Sequence, residues 1–206
     1  TATYQEALET ALELVEKEDW EAARDQLELL IEGAGYIPGK ENAHGLLAYT
    51  YQQLEETEKE RLTWATITEQ DAHNLDAVIR LLTIAYESED WPELKRWSDA
   101  WLAINPLAET PWRGLLKAEE EMNNSKDAIA AGEVLIQLDP PDIAAVHYRV
   151  AEQMVRTNKP GAHRHVLMAL EEAPRYRDAY KLLYRIKQPP QEDPFLFGFK
   201  VPPVHE

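Results

Sequence analysis

The sequence contains no cysteine, which excludes disulfides and thiolate metal sites and leaves reducing and oxidising compartments equally open. Nothing in it approaches the roughly 20 apolar residues of a membrane span, and no basic then apolar signal pattern opens it. A soluble chain without membrane insertion, cytoplasmic or periplasmic, is the expectation. Basic residues are scarce: 21 Lys and Arg stand against 38 Asp and Glu, for a net charge of −17. Nucleic acid and anionic membrane surfaces repel such a chain, so neither is an expected partner. Strand-type alternation is absent, and so are His-Glu-x-x-His, a Gly-Lys-Ser/Thr phosphate loop and Gly-x-Ser-x-Gly. His163 and His165 are two apart, which on a helix turns them about 200° from each other and makes them poor joint ligands. The run Glu119, Glu120, Glu121 diverges around a helix in the same way and reads as a solvated face. No nucleophile stands with a base. No catalytic residue, cofactor or metal site is expected, and the chain reads as a non-enzyme.

What is present is a rhythm. Pro106, Pro140 and Pro174 recur at intervals of 34 residues, and the 206 residues, 44% of them hydrophobic, can supply a core. Apolar residues recur at helical spacing in segments of about 12 to 15 residues divided by short polar turns. Aligning those turns sets Glu18-Asp19-Trp20-Glu21 beside Glu55-Glu56-Thr57-Glu58, Glu89-Asp90-Trp91-Pro92, Asn123-Asn124-Ser125-Lys126 and Asn158-Lys159-Pro160-Gly161. Asp, Asn, Ser or Thr in these turns can cap the next helix, and Pro92 falls in a first turn where a missing amide costs no bond. The other turns, Ile104-Asn105-Pro106, Leu138-Asp139-Pro140 and Glu172-Ala173-Pro174, are helix stops, because proline forbids continuation. The spacing therefore predicts five helix-turn-helix units.

These positions make the sequence resemble the tetratricopeptide-repeat family over roughly residues 4–174. The fourth unit carries the pattern best, in Trp112, Leu115, Asn123-Asn124, Ala128, Leu135 and Asp139-Pro140. The small residue of the first helix reads Ala11, Ala48, Leu82, Leu116 and Ala151, and that of the second reads Ala23, Glu60, Leu94, Ala128 and Ala162. The large residues at Glu60 and Leu94 lead to an expectation of looser helix packing in units two and three. The resemblance implies an all-α, right-handed superhelical solenoid. Tyr176 to Lys187 reads as a capping helix that shields the last unit. Residues 1–187 would form this repeat domain, and residues 188–206 a tail that holds Phe195, Phe197, Phe199 and five prolines. Those phenylalanines are expected to dock as an extended strap.

The resemblance also implies a binding surface lined by the first helices. Carried over to this sequence, it names Tyr49, Gln52 and Gln53, then Thr83, Tyr86 and Glu87, then Arg113, Lys117 and Glu120, then Tyr148, Glu152 and Arg156, with Lys181 and Arg185 from the cap. Tyr49, Tyr86 and Tyr148 would supply contact area. Arg113 and Lys117, one helical turn apart, would join Arg156 in gripping a carboxylate, or else pair with Glu120, Glu121 and Glu152. Family members that take an acidic C-terminal peptide use a Lys/Asn/Arg clamp, and the matching positions here, among them Leu8, Leu12 and Gly45, do not supply it. The tryptophans read as packing residues: Trp20 and Trp91 in turns, Trp112 in a first helix, and Trp97 with Trp101 on one helix face.

Charge divides unevenly along the chain. Residues 1–74 are net −12, residues 75–141 net −7 and residues 142–206 net +2, so a partner should be basic toward the first units. The expected function is a protein-interaction scaffold with a protein or peptide ligand. The chain begins at Thr1, which suggests processing or a longer parent and motivates an alternative, the substrate-presenting repeat part of a larger bacterial enzyme such as a peptidase. A further alternative is self-association, with the tail of one molecule in the groove of another.

Overall fold

The computed structural model describes residues 3–37 and 42–187. Residues 188–206, and the loop residues Pro38 and Gly39, lie outside them, and with the tail lie the expectations that it docks or drives self-association. The described residues form eleven helices, which divide into two compact units between Leu138 and Asp139. The first holds α1 (Tyr4–Glu16), α2 (Trp20–Ala34), α3 (Ala43–Gln53), α4 (Thr57–Gln70), α5 (Leu75–Glu87), α6 (Trp91–Ile104), α7 (Glu109–Glu121) and α8 (Ser125–Gln137). The second holds α9 (Ile143–Arg156), α10 (Ala162–Glu172) and α11 (Arg177–Lys187). Within each unit, every helix packs on the next in sequence, α1 also reaches α3, and α11 reaches α9.

Local chemistry sets the boundaries. Thr3 and Glu6 form a reciprocal capping box at the start of α1, and Asp19, Asn42, Asn74 and Asp90 each accept a backbone amide of the helix they precede. The prolines stop helices as expected: α6, α8 and α10 end at Ile104, Gln137 and Glu172, just before Pro106, Pro140 and Pro174. Where the second pair lacks a proline, Asp71 takes over. Its Oδ1 accepts from the His73 amide at 3.0 Å, as Asn105 Oδ1 accepts from Leu107 at 3.1 Å, and this side-chain turn competes with further helix.

The turn inside each pair has one geometry. Glu18, Glu55, Glu89, Asn123 and Asn158 all have φ between 52° and 58°. The amide one residue later bonds back to the last helical turn, as Asp19 to Leu14 and Asp90 to Ala85, which satisfies carbonyls the helix end would leave free. Asparagine tolerates this left-handed conformation, whereas glutamate adopts it only at a cost in strain. Glu89→Gly should therefore raise stability by about 0.5–1 kcal/mol, the relief of strain exceeding the entropy glycine adds to the unfolded chain. A rise in the urea midpoint would show it, and a fall would contradict it.

Packing in units two and three is tight, contrary to the looser fit expected from Glu60 and Leu94. Leu94 is 0% exposed and Glu60 1%. Room for Leu94 comes from Gly114 of α7, where an added Cβ would lie 3.5 Å from Leu94 Cδ1 and 2.4 Å from Ser98 Oγ. Glu60 is held by Arg80 of α5, through Nε at 2.5 Å and Nη2 at 3.0 Å, and by the indole N–H of Trp64 at 3.2 Å. Lys95 binds the buried Glu119 in the same manner from α6 to α7. The tryptophans serve packing: Trp97 is buried among Leu81, Leu82 and Leu94, with Trp64, Trp91 and Trp101 against them. In the second unit, Ala179 and Leu182 of α11 close over Ala151, Val166 and Ala169.

Candidate functional site

A cleft of about 920 Å³ lies within the first unit, lined from α1, α3, α4 and the start of α5. Leu8 and Leu12 of α1 form one wall, Leu46 and Tyr49 of α3 the middle, and Trp64 and Ile67 of α4 the far side. Tyr36, Asn42, Gly45, Gln70, Asp71, Asn74 and Asp76 complete it. The leucines follow from helix periodicity: Leu8 and Leu12 are four apart and share a face. Leu8 is also core, packed with Ala11, Leu27 and Leu47. Gly45 has a local reason as well. Its amide donates to the Asn42 side chain at 2.5 Å, and a Cβ there would come within 3.2 Å of that oxygen. Behind this wall, His44 is buried with an unpartnered Nδ1 and lies against Tyr36 with ring centroids 5.2 Å apart. Burial lowers its pKa.

Within the first unit, Tyr49 and the pair Tyr86 and Lys117, all expected to bind a partner, line separate cavities. Tyr49 lines the cleft, 43% exposed, with its ring edge-on to Trp20 at 5.8 Å. Gln52 and Gln53 are exposed at the end of α3. Tyr86, 54% exposed, and Lys117 meet in a second cavity of about 400 Å³ with Glu87, Glu89, Trp91 and Glu121. Lys117 Nζ is 2.5 Å from Glu121 and 5.1 Å from the centre of the Trp91 ring, and Arg113 Nε donates to Glu109 at 2.6 Å. Both cations thus have carboxylates one turn away on their own helix. Tyr148 and Arg156 belong to the second unit. Tyr148 packs on Tyr176 at 5.1 Å, and burial pushes both phenols up. Arg156 is exposed at the end of α9.

Sequence reasoning passed over most of the cleft. Leu8, Leu12 and Gly45 are the positions at which it found no carboxylate clamp, and their apolar character was itself the signal. Asp71, just after α4, and Asp76, in the first turn of α5, could have been found only as flanking the segment where the proline rhythm fails. His165, read against His163, instead meets His147, with Nδ1 atoms 3.0 Å apart between α9 and α10. Burial lowers the His147 pKa, with His165 and Arg164 adding to the effect. Among the described residues no group of three or more His, Cys, Asp or Glu could hold a metal ion. No helix among them is long and apolar enough to cross a membrane.

Consecutive helix pairs that share one turn geometry define a helical-repeat fold of the tetratricopeptide type. Solved structures bear this out. The chain aligns with YrrB, described as a TPR protein with an unusual peptide-binding site, at a TM-score of 0.60 and 14% identity, covering 88% of this chain and 90% of that one. A tetratricopeptide repeat protein from Parabacteroides merdae gives 0.60 and 14%, covering 89% and 72%. MamA from Desulfovibrio magneticus RS-1 gives 0.56 and 13%, covering 90% and 97%. At these identities the likeness is one of fold, and the fold is that of the tetratricopeptide repeats. Neither a family model nor a curated protein matches the sequence.

Proposed function

We propose that this protein is a peptide-binding module that performs no chemistry of its own, and that its ligand seats an apolar side chain in the first-unit cleft. One observation carries the reading: a cavity of about 920 Å³ walled by Leu12, Leu46, Trp64 and Ile67. That size and lining suit a large side chain with its neighbouring backbone. The exposed Gln70 in its lining offers an amide to pair with a peptide main chain, which gives affinity without dictating sequence. Repeats that hold such a wall rigid spare the complex much of its ordering cost. YrrB, similar in fold, is described as having a peptide-binding site, which agrees with this use of the architecture.

The test is selection of peptides from a random displayed library on the folded protein, followed by calorimetry with the selected sequences. Leu12→Glu places a charge in the apolar wall and should weaken binding at least about tenfold, since an unpaired carboxylate in a desolvated contact costs more than the about 1.4 kcal/mol that a factor of ten represents. Tyr49→Ala, at a half-exposed position, should weaken it less and leave the helical signal intact. Equal binding by wild type and Leu12→Glu would overturn the proposal.

A further inference from the structure

We infer that the apolar side chain received by this cleft is followed, on the α5 side, by a lysine or arginine of the same ligand. The inference rests on the peptide-binding reading above and adds the chemistry of the partner. Among the described lining residues there is no lysine, arginine or histidine, whereas two carboxylates do line the cleft, Asp71 just after α4 and Asp76 in the first turn of α5. Both are exposed, and neither takes part in an ion pair with a described residue. Asp71 accepts only the backbone amide of His73.

Elsewhere in the first unit several acids are matched. Glu60 has Arg80, Glu119 has Lys95, Glu109 has Arg113, Glu121 has Lys117, and Glu56 has Arg24 with Lys59. The second cavity differs in holding a cation of its own, Lys117, beside Glu121 and over Trp91. At the cleft edge an apolar contact and negative charge without a cation in the lining coincide. Residues 1–74 are net −12, and their summed field attracts a cationic segment before contact. Asp71 directly follows α4 and Asp76 lies in the first turn of α5, so a side chain seated in the cleft has its cationic neighbour toward α5. An acidic or neutral flank gains nothing there, and an acidic one is repelled.

The experiment uses a peptide obtained from the library, labelled with a fluorophore, and two derivatives in which the flanking basic residue becomes glutamine or glutamate. These are titrated into wild type, Leu12→Glu and Asp71→Asn with Asp76→Asn, the amides keeping the Asp71 turn acceptor. Wild type should prefer the basic peptide over the glutamate form by about tenfold or more. The double amide variant should erase most of that preference while retaining the glutamine peptide, and added salt should weaken only the basic one. Selected peptides that lose affinity with Leu12→Glu but show no preference for a basic flank would overturn this inference and leave the cleft reading standing. A basic preference that survives the double amide substitution would also overturn it. Binding indifferent to Leu12→Glu would overturn both.

Discussion

Replacing Arg80 with methionine lowers stability by about 3–5 kcal/mol, the cost of leaving a buried carboxylate without its partner. Glu60 is 1% exposed and receives two hydrogen bonds from the Arg80 guanidinium and one from Trp64. Without Arg80, the indole alone cannot offset desolvation of the charge. The pair itself is not a large net gain, since a buried ion pair exchanged for apolar residues of similar volume is often neutral or better. Glu60→Met with Arg80→Met should therefore recover most of the loss. The control is an exposed pair such as Lys17–Glu13, where both side chains are about two-thirds exposed and Lys17→Ala should shift stability by less than about 1 kcal/mol. Urea midpoints for the four proteins provide the comparison. A single Arg80 variant as stable as wild type would mean that water reaches Glu60.

The second large effect runs against the repeat pattern. Tetratricopeptide repeats favour a small residue at position 94, so Leu94→Ala would restore the family type and, by pattern alone, improve the protein. The structure leads to the opposite expectation, a loss of about 2–5 kcal/mol from an unfilled cavity. Leu94 is fully buried with Leu81, Leu82 and Trp97, and Gly114 is the small residue that makes room for it. The usual size relation across this contact is thus inverted. If Leu94→Ala proved neutral or stabilising in urea denaturation, the α6–α7 contact would not be packed as described.

Those two sites mark what a sequence can and cannot disclose. Helix ends were legible because their causes are local, a proline two residues after Ile104 and an Asp before Trp91, whereas the left-handed conformation at the Glu18-type positions was not. Glu60 and Leu94 were legible as departures but not as solutions, because their compensation comes from Arg80 and Gly114, 20 residues away in each case. For the site, the rule of first-helix residues found Tyr49 and missed its neighbours, since Leu8, Leu12 and Leu46 follow the same apolar periodicity that builds a core. Whether such a face is covered or open depends on what packs against it. Arg113 and Lys117 were read either as ligand-binding cations or as partners of Glu120, Glu121 and Glu152; Lys117 does engage Glu121, and Arg113 engages Glu109, four residues away on the same helix.

The central claim is that a ligand enters the first unit between α1, α3 and α4. Methyl NMR of protein labelled at leucine and isoleucine, titrated with a peptide selected on the wild type, tests it most directly. The account predicts that the methyl signals of Leu12, Leu46 and Ile67, which line the cleft, move first and furthest. Those of Leu29 and Leu62, exposed and outside it, should stay in place. Movement confined to Leu29, Leu62 or the second unit, with Leu12, Leu46 and Ile67 unchanged at saturation, would contradict it.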